Sequence, residues 1–195
     1  VDGACRGALD PPYVGFWFSF NDGTSSQTPD PSAPLTGELG GRNGPADCAI
    51  RTQGVGFTMW GAGVGFDFDV AQTGRCVFNA GAFRGIRMYL KGTTAGSVAD
   101  NVVRVKLPTV RTTDQPGGVC VPIGDAGCSD DYGAFCTVSP TTWLLCDLPF
   151  STITQEGWGV TAAFLPQELL GLQFLATRWT TSISFDISID DIEFY

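Results

Sequence analysis

Apolar and polar residues alternate along most of this chain. VGFDFDV (64–70) sets Phe66, Phe68 and Val70 against Asp67 and Asp69, and GIRMYLKG (85–92) sets Ile86, Met88 and Leu90 against Arg87 and Tyr89. VVRVKL (102–107) opposes Val103, Val105 and Leu107 to Arg104 and Lys106. In SISFDISIDDIEFY, Ile183, Phe185, Ile187 and Ile189 alternate with Ser184, Asp186, Ser188 and Asp190. A period of two is the signature of a strand with one buried face. FWFSF (16–20), WLLCDLPF and LQFLA add further strands, with Gly, Pro, Asp and Ser between them. Only PQELLG (166–171) reads as a helical turn. With no helices to cover a parallel sheet, the pattern predicts two packed antiparallel sheets. The expected fold is therefore an all-β antiparallel sandwich of the jelly-roll type, a single domain over 1–195. A long polar loop, rich in Pro and Gly, is expected at about 21–47, the kind of segment that carries function or covers a surface. Trp17 has the opposite parity to Phe16, Phe18 and Phe20, so it faces away from them, covered by that loop or exposed to ligand.

Composition narrows the function. The chain of 195 residues is 43% hydrophobic and 16% charged, so its 26 Gly and 12 Pro mark turns rather than disorder. The formal net charge is -9, and Lys91 and Lys106 are its two lysines. Neither nucleic acid nor an anionic membrane attracts such a surface. No run of 18 apolar residues is available for membrane insertion. With no histidine, a Ser-His-Asp or Cys-His centre is impossible within the chain. Paired carboxylates hydrolyse glycosides without histidine, and Asp67 with Asp69 or Asp130 with Asp131 are the pairs to weigh. Nothing else in the sequence marks a cleft around them, so no enzyme is expected.

Seven cysteines are ordinary for a secreted protein, and the localisation read from them is extracellular. Cys120 and Cys128 bracket the turn-rich loop VPIGDAG, while Cys136 and Cys146 flank TVSPTTWLL, a hairpin-like return. Each short loop favours a disulfide. Cys48 with Cys76 is the third expected pair, leaving Cys5 spare, with Cys5 joined to either of those two as the alternative.

The last strand changes phase at Asp190 and Asp191, after which Ile192 and Phe194 occupy the opposite parity. A β-bulge does this, and it leaves one carboxylate near the apolar side. A buried carboxylate needs a cation or hydrogen-bond donors, basic residues are few, and a hard divalent cation such as calcium satisfies it. NDG (21–23) offers further oxygen ligands if the first and last strands lie side by side. The expected structural calcium site is thus Asn21, Asp22, Asp190 and Asp191. The acidic stretch GDAGCSDDYG (124–133), with Asp125, Asp130 and Asp131, reads either as a solvated turn or as a second calcium site.

FNDGT, WGAGVGFDF, FNAGAFRGIRMYLKG, PFSTITQEGWG and ISIDDIEFY, in this order, resemble a carbohydrate-binding module of the galactose-binding-like jelly-roll type found in secreted bacterial proteins that handle polysaccharides. The resemblance implies non-catalytic binding of a polysaccharide or cell-surface glycan. It also implies a calcium between the N-terminal segment and the C-terminal strand, matching Asn21-Asp22 to the early acidic segment and Asp190-Asp191 to the terminal pair. Such modules bind glycans on a sheet face or its rim loops, through aromatic planes and directional polar groups. Arg87 and Tyr89 would share one such face with Arg104 and Lys106 if their strands are neighbours, with Tyr132 and Arg178-Trp179 at the rim and Trp179 stacking on sugar. Trp60 and Trp158 read as structural under the resemblance, and Trp143 reads as core. The alternative is a structural subunit that self-assembles into an extracellular fibre, surface layer or adhesive complex.

Overall fold

The computed structural model describes residues 15–71, 74–96, 99–177 and 182–195. In chain order its strands are β1 (Phe16–Asn21), β2 (Gln27–Thr28), β3 (Glu38–Leu39), β4 (Cys48–Phe57), β5 (Gly61–Asp67), β6 (Val70–Ala71), β7 (Gly74–Arg75), β8 (Gly85–Ala95), β9 (Val102–Leu107), β10 (Tyr132–Thr137), β11 (Leu144–Pro149), β12 (Gly171–Thr177) and β13 (Ile183–Phe194). One turn of 3-10 helix, Pro166–Glu168, falls where PQELLG predicts a helical turn. The first sheet runs β1-β5-β12-β9-β10 and the second β11-β8-β13-β4-β2, with β3 also paired to β4. Pairing within both sheets is antiparallel. The expected sandwich is what these residues build.

The alternation works because each strand gives one face to the space between the sheets. Ile183, Phe185, Ile187 and Ile189 of β13, with Ile86, Met88 and Leu90 of β8, meet Val64 and Phe66 of β5, Leu172 and Phe174 of β12 and Val103 and Val105 of β9. All are buried. Side chains of this size each stabilise the fold by about 1.5–3 kcal/mol through burial. Trp17 joins this core, 5.3 Å from Phe66 and 6.2 Å from Phe174 between ring centroids. The parity that separates it from Phe16, Phe18 and Phe20 is therefore real, and those three point outward.

Two disulfides have both partners among the described residues. Cys136 on β10 and Cys146 on β11 join the edge strands of opposite sheets, and Cys120–Cys128 closes a tight turn held by paired hydrogen bonds between Ile123 and Ala126. The Cys48–Cys76 pair is not formed: Cys48 is disulfide-bonded, but Cys76 keeps its thiol. Cys48 opens β4 in the second sheet, whereas the backbone of Cys76 bonds Asp69, beyond the end of β5 in the first.

Topology also corrects two other expectations. The first and last strands are not neighbours, since β1 lies at the edge of the first sheet and β13 at the centre of the second. Strands β8 and β9 likewise belong to different sheets. The segment 21–47 is not one long loop. It lays β2 and β3 along β4 and so walls one side of the second sheet.

Candidate functional site

The outward row of β13, Ser184, Asp186 and Ser188, forms the floor of an open groove on the second sheet. Strand β4 turns Arg51, Gln53 and Val55 to the same face, and β8 turns Lys91 and Thr93 there. Two depressions share Thr93 and Asp186. One, of about 310 Å³, is lined by Glu38, Arg51, Lys91, Trp143, Asp186 and Ser188 among others. The second, of about 620 Å³, takes in Ser25, Thr28, Gln53, Val55 and Ser184. They follow one another along the strands. From Ser184 to Ser188 the floor is about 13 Å long at 3.3 Å per residue, within the size range of small-ligand sites.

At its centre Arg51 grips Asp186 with two parallel bonds, Nε to Oδ1 and Nη2 to Oδ2, each 2.8 Å. Glu38 approaches the same guanidinium at 3.4 Å. Hydrogen bonding from Asp186 holds the Arg51 pKa above its ordinary value, against the opposing effect of burial. The bidentate fork, 40% and 44% exposed on its two side chains, sets guanidinium donors and carboxylate acceptors side by side. Lys91 reaches over the Trp143 ring, its Nζ 6.0 Å from the centroid. Trp143 is half-buried at the groove wall rather than in the core, because it precedes β11 in the turn beside Pro140. This arrangement offers an aromatic surface, a bidentate ion pair, hydroxyls and an amide on a rigid sheet.

The sequence-predicted carbohydrate residues divide. Arg87 and Tyr89 do lie on the outward row of β8, beyond Lys91. There Arg87 pairs with Glu193 at 2.6 Å, and the Arg42 guanidinium covers the Tyr89 ring at 3.9 Å. Arg104 and Tyr132 do not join them. Arg104, 3% exposed on the first sheet, donates to the Thr154 carbonyl at 2.7 Å and lies 3.7 Å from Glu156. The Tyr132 hydroxyl donates to the Ala162 carbonyl at 2.6 Å. Both groups pin loops onto the first sheet, as Lys106 does through Asp131 at 3.0 Å. Arg178 and Trp179 lie outside the described residues.

The metal set also comes apart. Asp22 accepts from Thr24 through Oδ1, and from the backbone N–H of Met59 and Gly61 through Oδ2. Burial pushes its pKa up, but those bonds outweigh it and hold the carboxyl below its usual range. Asp22 therefore anchors the β4–β5 turn, level with Phe57 and its partner Ile183. Asp190 is seven residues further along β13, roughly 23 Å away, so one ion does not bridge them.

The bulge at the terminal pair is as expected. The ladder shifts between Asp190 and Glu193, and Asp191 takes a left-handed φ of 47°. Asp190, 4% exposed, is the buried carboxylate. It accepts the Arg42 N–H at 2.7 Å and the Asp191 N–H at 2.8 Å. Burial raises its pKa, and the nearby charges of Asp191 and Asp47 add to the rise. Asp191 pairs with Arg42. Gly41 shows how close the acids are: a Cβ there would lie 2.7 Å from an Asp190 oxygen and 2.8 Å from an Asp47 oxygen. Among the described residues no three acidic or thiol side chains converge as a metal cluster. The second acidic stretch is likewise engaged, since Asp130 accepts N–H groups from Glu156, Gly157 and Gly159.

Sequence reasoning missed Arg51, Gln53, Lys91, Thr93, Trp143 and Asp186 as one site. The available signal was the polar parity of the last strand, which marks the outward row without saying which strands flank it.

No family model and no curated protein matches the chain. Solved structures do. The family 11 carbohydrate-binding module of Clostridium thermocellum, in complex with a β-1,3-1,4-mixed-linked tetrasaccharide, superposes at a TM-score of 0.52 with 13% identity, over 91% of this chain and 87% of that one. A family 30 carbohydrate-binding module superposes at 0.55 with 14% identity, over 95% of each chain. This chain therefore shares the jelly-roll fold of carbohydrate-binding modules.

Proposed function

We propose that this chain is an extracellular, non-catalytic carbohydrate-binding module that holds a linear neutral glycan in the groove of the second sheet. The observation that carries the reading is the groove itself: an ion pair locked at 2.8 Å, flanked by Gln53, Lys91 and Trp143, on a rigid open floor. Sugars present C–H faces to an aromatic ring and hydroxyls to directional donors and acceptors, and this groove supplies both. Its cations, Arg51 and Lys91, are matched by Asp186 and Glu38, which suits a neutral ligand. Both groove carboxylates engage the same guanidinium, which orients hydroxyls rather than supplying a proton for bond cleavage. The mixed-linked tetrasaccharide bound by the family 11 module makes soluble β-glucan the first ligand to test. The disulfides Cys120–Cys128 and Cys136–Cys146 fit an extracellular setting, and among the described residues no helix is long and apolar enough to cross a membrane.

Calcium belongs to the same proposal, with Asp190 and Asp47 as its carboxylate ligands instead of the Asn21-Asp22 pair. What supports it is a buried carboxylate beside a second acid, with the adjacent guanidinium engaged by Asp191. A divalent cation there would neutralise the two carboxylates and tie the 40–48 segment to β13.

Isothermal titration with soluble mixed-linked β-glucan tetrasaccharide tests the glycan reading. Saturable binding without release of reducing sugar is expected. Reducing-sugar release, or concentration-dependent polymers with no glycan retention, would replace it with an enzyme or an assembly subunit.

A further inference from the structure

The outer face of the first sheet carries a row of rings that the groove does not use. With Trp17 turned into the core, β1 sends Phe16, Phe18 and Phe20 outward, at successive centroid spacings of 6.0 and 5.9 Å and with successive planes tilted by 56° and 41°. Trp60, from the β4–β5 turn, extends the row at 6.0 Å from Phe20 and within 27° of parallel. Phe16 is 50% exposed and Trp60 44%. The neighbouring strand leaves room for the Phe18 ring to lean over it. Its outward positions are Gly61, Gly63 and Gly65, and a Cβ on Gly65 would fall 2.4 Å from the tip of the Phe18 ring. A ring resting on bare backbone turns its other face to solvent.

Charge and area select the occupant. The row itself is uncharged, and the next outward positions, on β12, are Gln173, Leu175 and Thr177. Of the acids at its two ends, Asp67 is buried and Asp22 is bonded to backbone N–H groups. Nothing along the row favours an ionic partner. The four rings expose on the order of 300 Å², taking about 200 Å² for each whole side chain. A stable contact between two protein copies needs about 800 Å² from each partner. A narrow uncharged strip of aromatic faces matches instead one polymer chain with an apolar face. A β-1,4-linked glucan is such a ribbon: its flat faces are C–H and its hydroxyls lie along the edges, within reach of Gln173 and Thr177.

We propose that Phe16, Phe18, Phe20 and Trp60 form a second glycan-binding surface, for the C–H face of an insoluble β-1,4-linked glucan, on the opposite side of the sandwich from the groove. Engagement of both faces raises retention on a solid polysaccharide by effective concentration and lets one module bridge two chains.

Adsorption isotherms on microcrystalline cellulose test this, run beside calorimetric titration of the soluble mixed-linked tetrasaccharide. Trp60→Ala is expected to lower the cellulose partition constant at least fivefold, and Phe16→Ser/Trp60→Ala further, while tetrasaccharide affinity stays at the wild-type value. Trp60→Phe keeps most of the adsorption, and thermal melting confirms that every variant is folded. The proposal is overturned if the wild-type chain stays in the supernatant, or if both substitutions leave adsorption unchanged. Sedimentation velocity showing a wild-type dimer that Trp60→Ala dissociates, with adsorption unaltered, also overturns it and makes the row a protein contact. A wild-type chain that adsorbs to cellulose but does not bind the tetrasaccharide counts against the groove and leaves this surface standing.

Discussion

Asp131→Ala separates the residues that build the sandwich from those that meet ligand. Asp131 is 2% exposed, and its Oδ2 lies 3.0 Å from the Lys106 ammonium, itself 6% exposed. The Thr112 hydroxyl donates to the other carboxylate oxygen. Removing the carboxylate leaves the buried ammonium bonded to the neutral Ser129 carbonyl at 2.8 Å. Deleting one member of a buried ion pair costs about 3–5 kcal/mol, chiefly because the other charge stays buried. At 2–4 °C of Tm per kcal/mol for a chain of this size, the melting temperature should fall by roughly 6–20 °C. Lys106→Met/Asp131→Leu removes both charges and should recover most of that loss. Circular dichroism melts and urea unfolding give the stabilities, and calorimetry on the same preparations gives glycan affinity. The structure predicts a large stability loss with unchanged affinity in the folded fraction. A destabilisation under about 1 kcal/mol, or weakened glycan binding at unaltered stability, would show that the β9 cations face ligand after all.

Three further outcomes follow from other parts of the molecule. Burial pushes the Asp67 carboxyl up to about 6 from 3.8, with Arg75 offsetting only part of the rise; the folded state therefore binds more protons than the unfolded between those values, stability falls as pH rises from about 4 to 6, and Asp67→Asn should flatten that part of a Tm-versus-pH curve. If Asp190 and Asp47 hold calcium, chelator lowers Tm, added calcium restores it and Asp47→Asn removes the response while Asn21→Ala keeps it; a chelator-insensitive melt at low residual calcium rejects the site. Cys120→Ser/Cys128→Ser should cost roughly 2–3 kcal/mol by releasing a short closed loop, read as a lower urea midpoint with glycan affinity retained.

Strand periodicity was legible because it is imposed locally: each of Ile183, Phe185, Ile187 and Ile189 is buried by the strand's own geometry, whatever lies beside it. The bulge was legible too, since Asp190-Asp191 breaks that same period. Neighbour relations were not, because antiparallel pairing joins residues far apart in the chain. Arg51 and Asp186 are 135 positions apart and form one fork, whereas Arg87 and Arg104, only 17 apart, sit on opposite sheets. That the bulge brings one carboxylate of the pair toward the apolar side could be read from the sequence; that it is Asp190, on the polar row, and not Asp191, and that the Arg42 and Asp191 N–H groups meet it, could not, because pairing partners in 21–47 leave no local signal. Trp143 and Trp60 show the same limit, since an aromatic at a strand end is apolar in pattern whether it packs inward or lines a surface.

Titration of soluble mixed-linked β-glucan tetrasaccharide into wild-type protein, Asp186→Ala and Trp143→Ala tests the central claim most directly. Saturable wild-type binding, weakened tenfold or more in each variant at an unchanged fold, is the predicted result; tenfold corresponds to about 1.4 kcal/mol. Wild-type binding that both variants retain in full would place the glycan somewhere other than this groove.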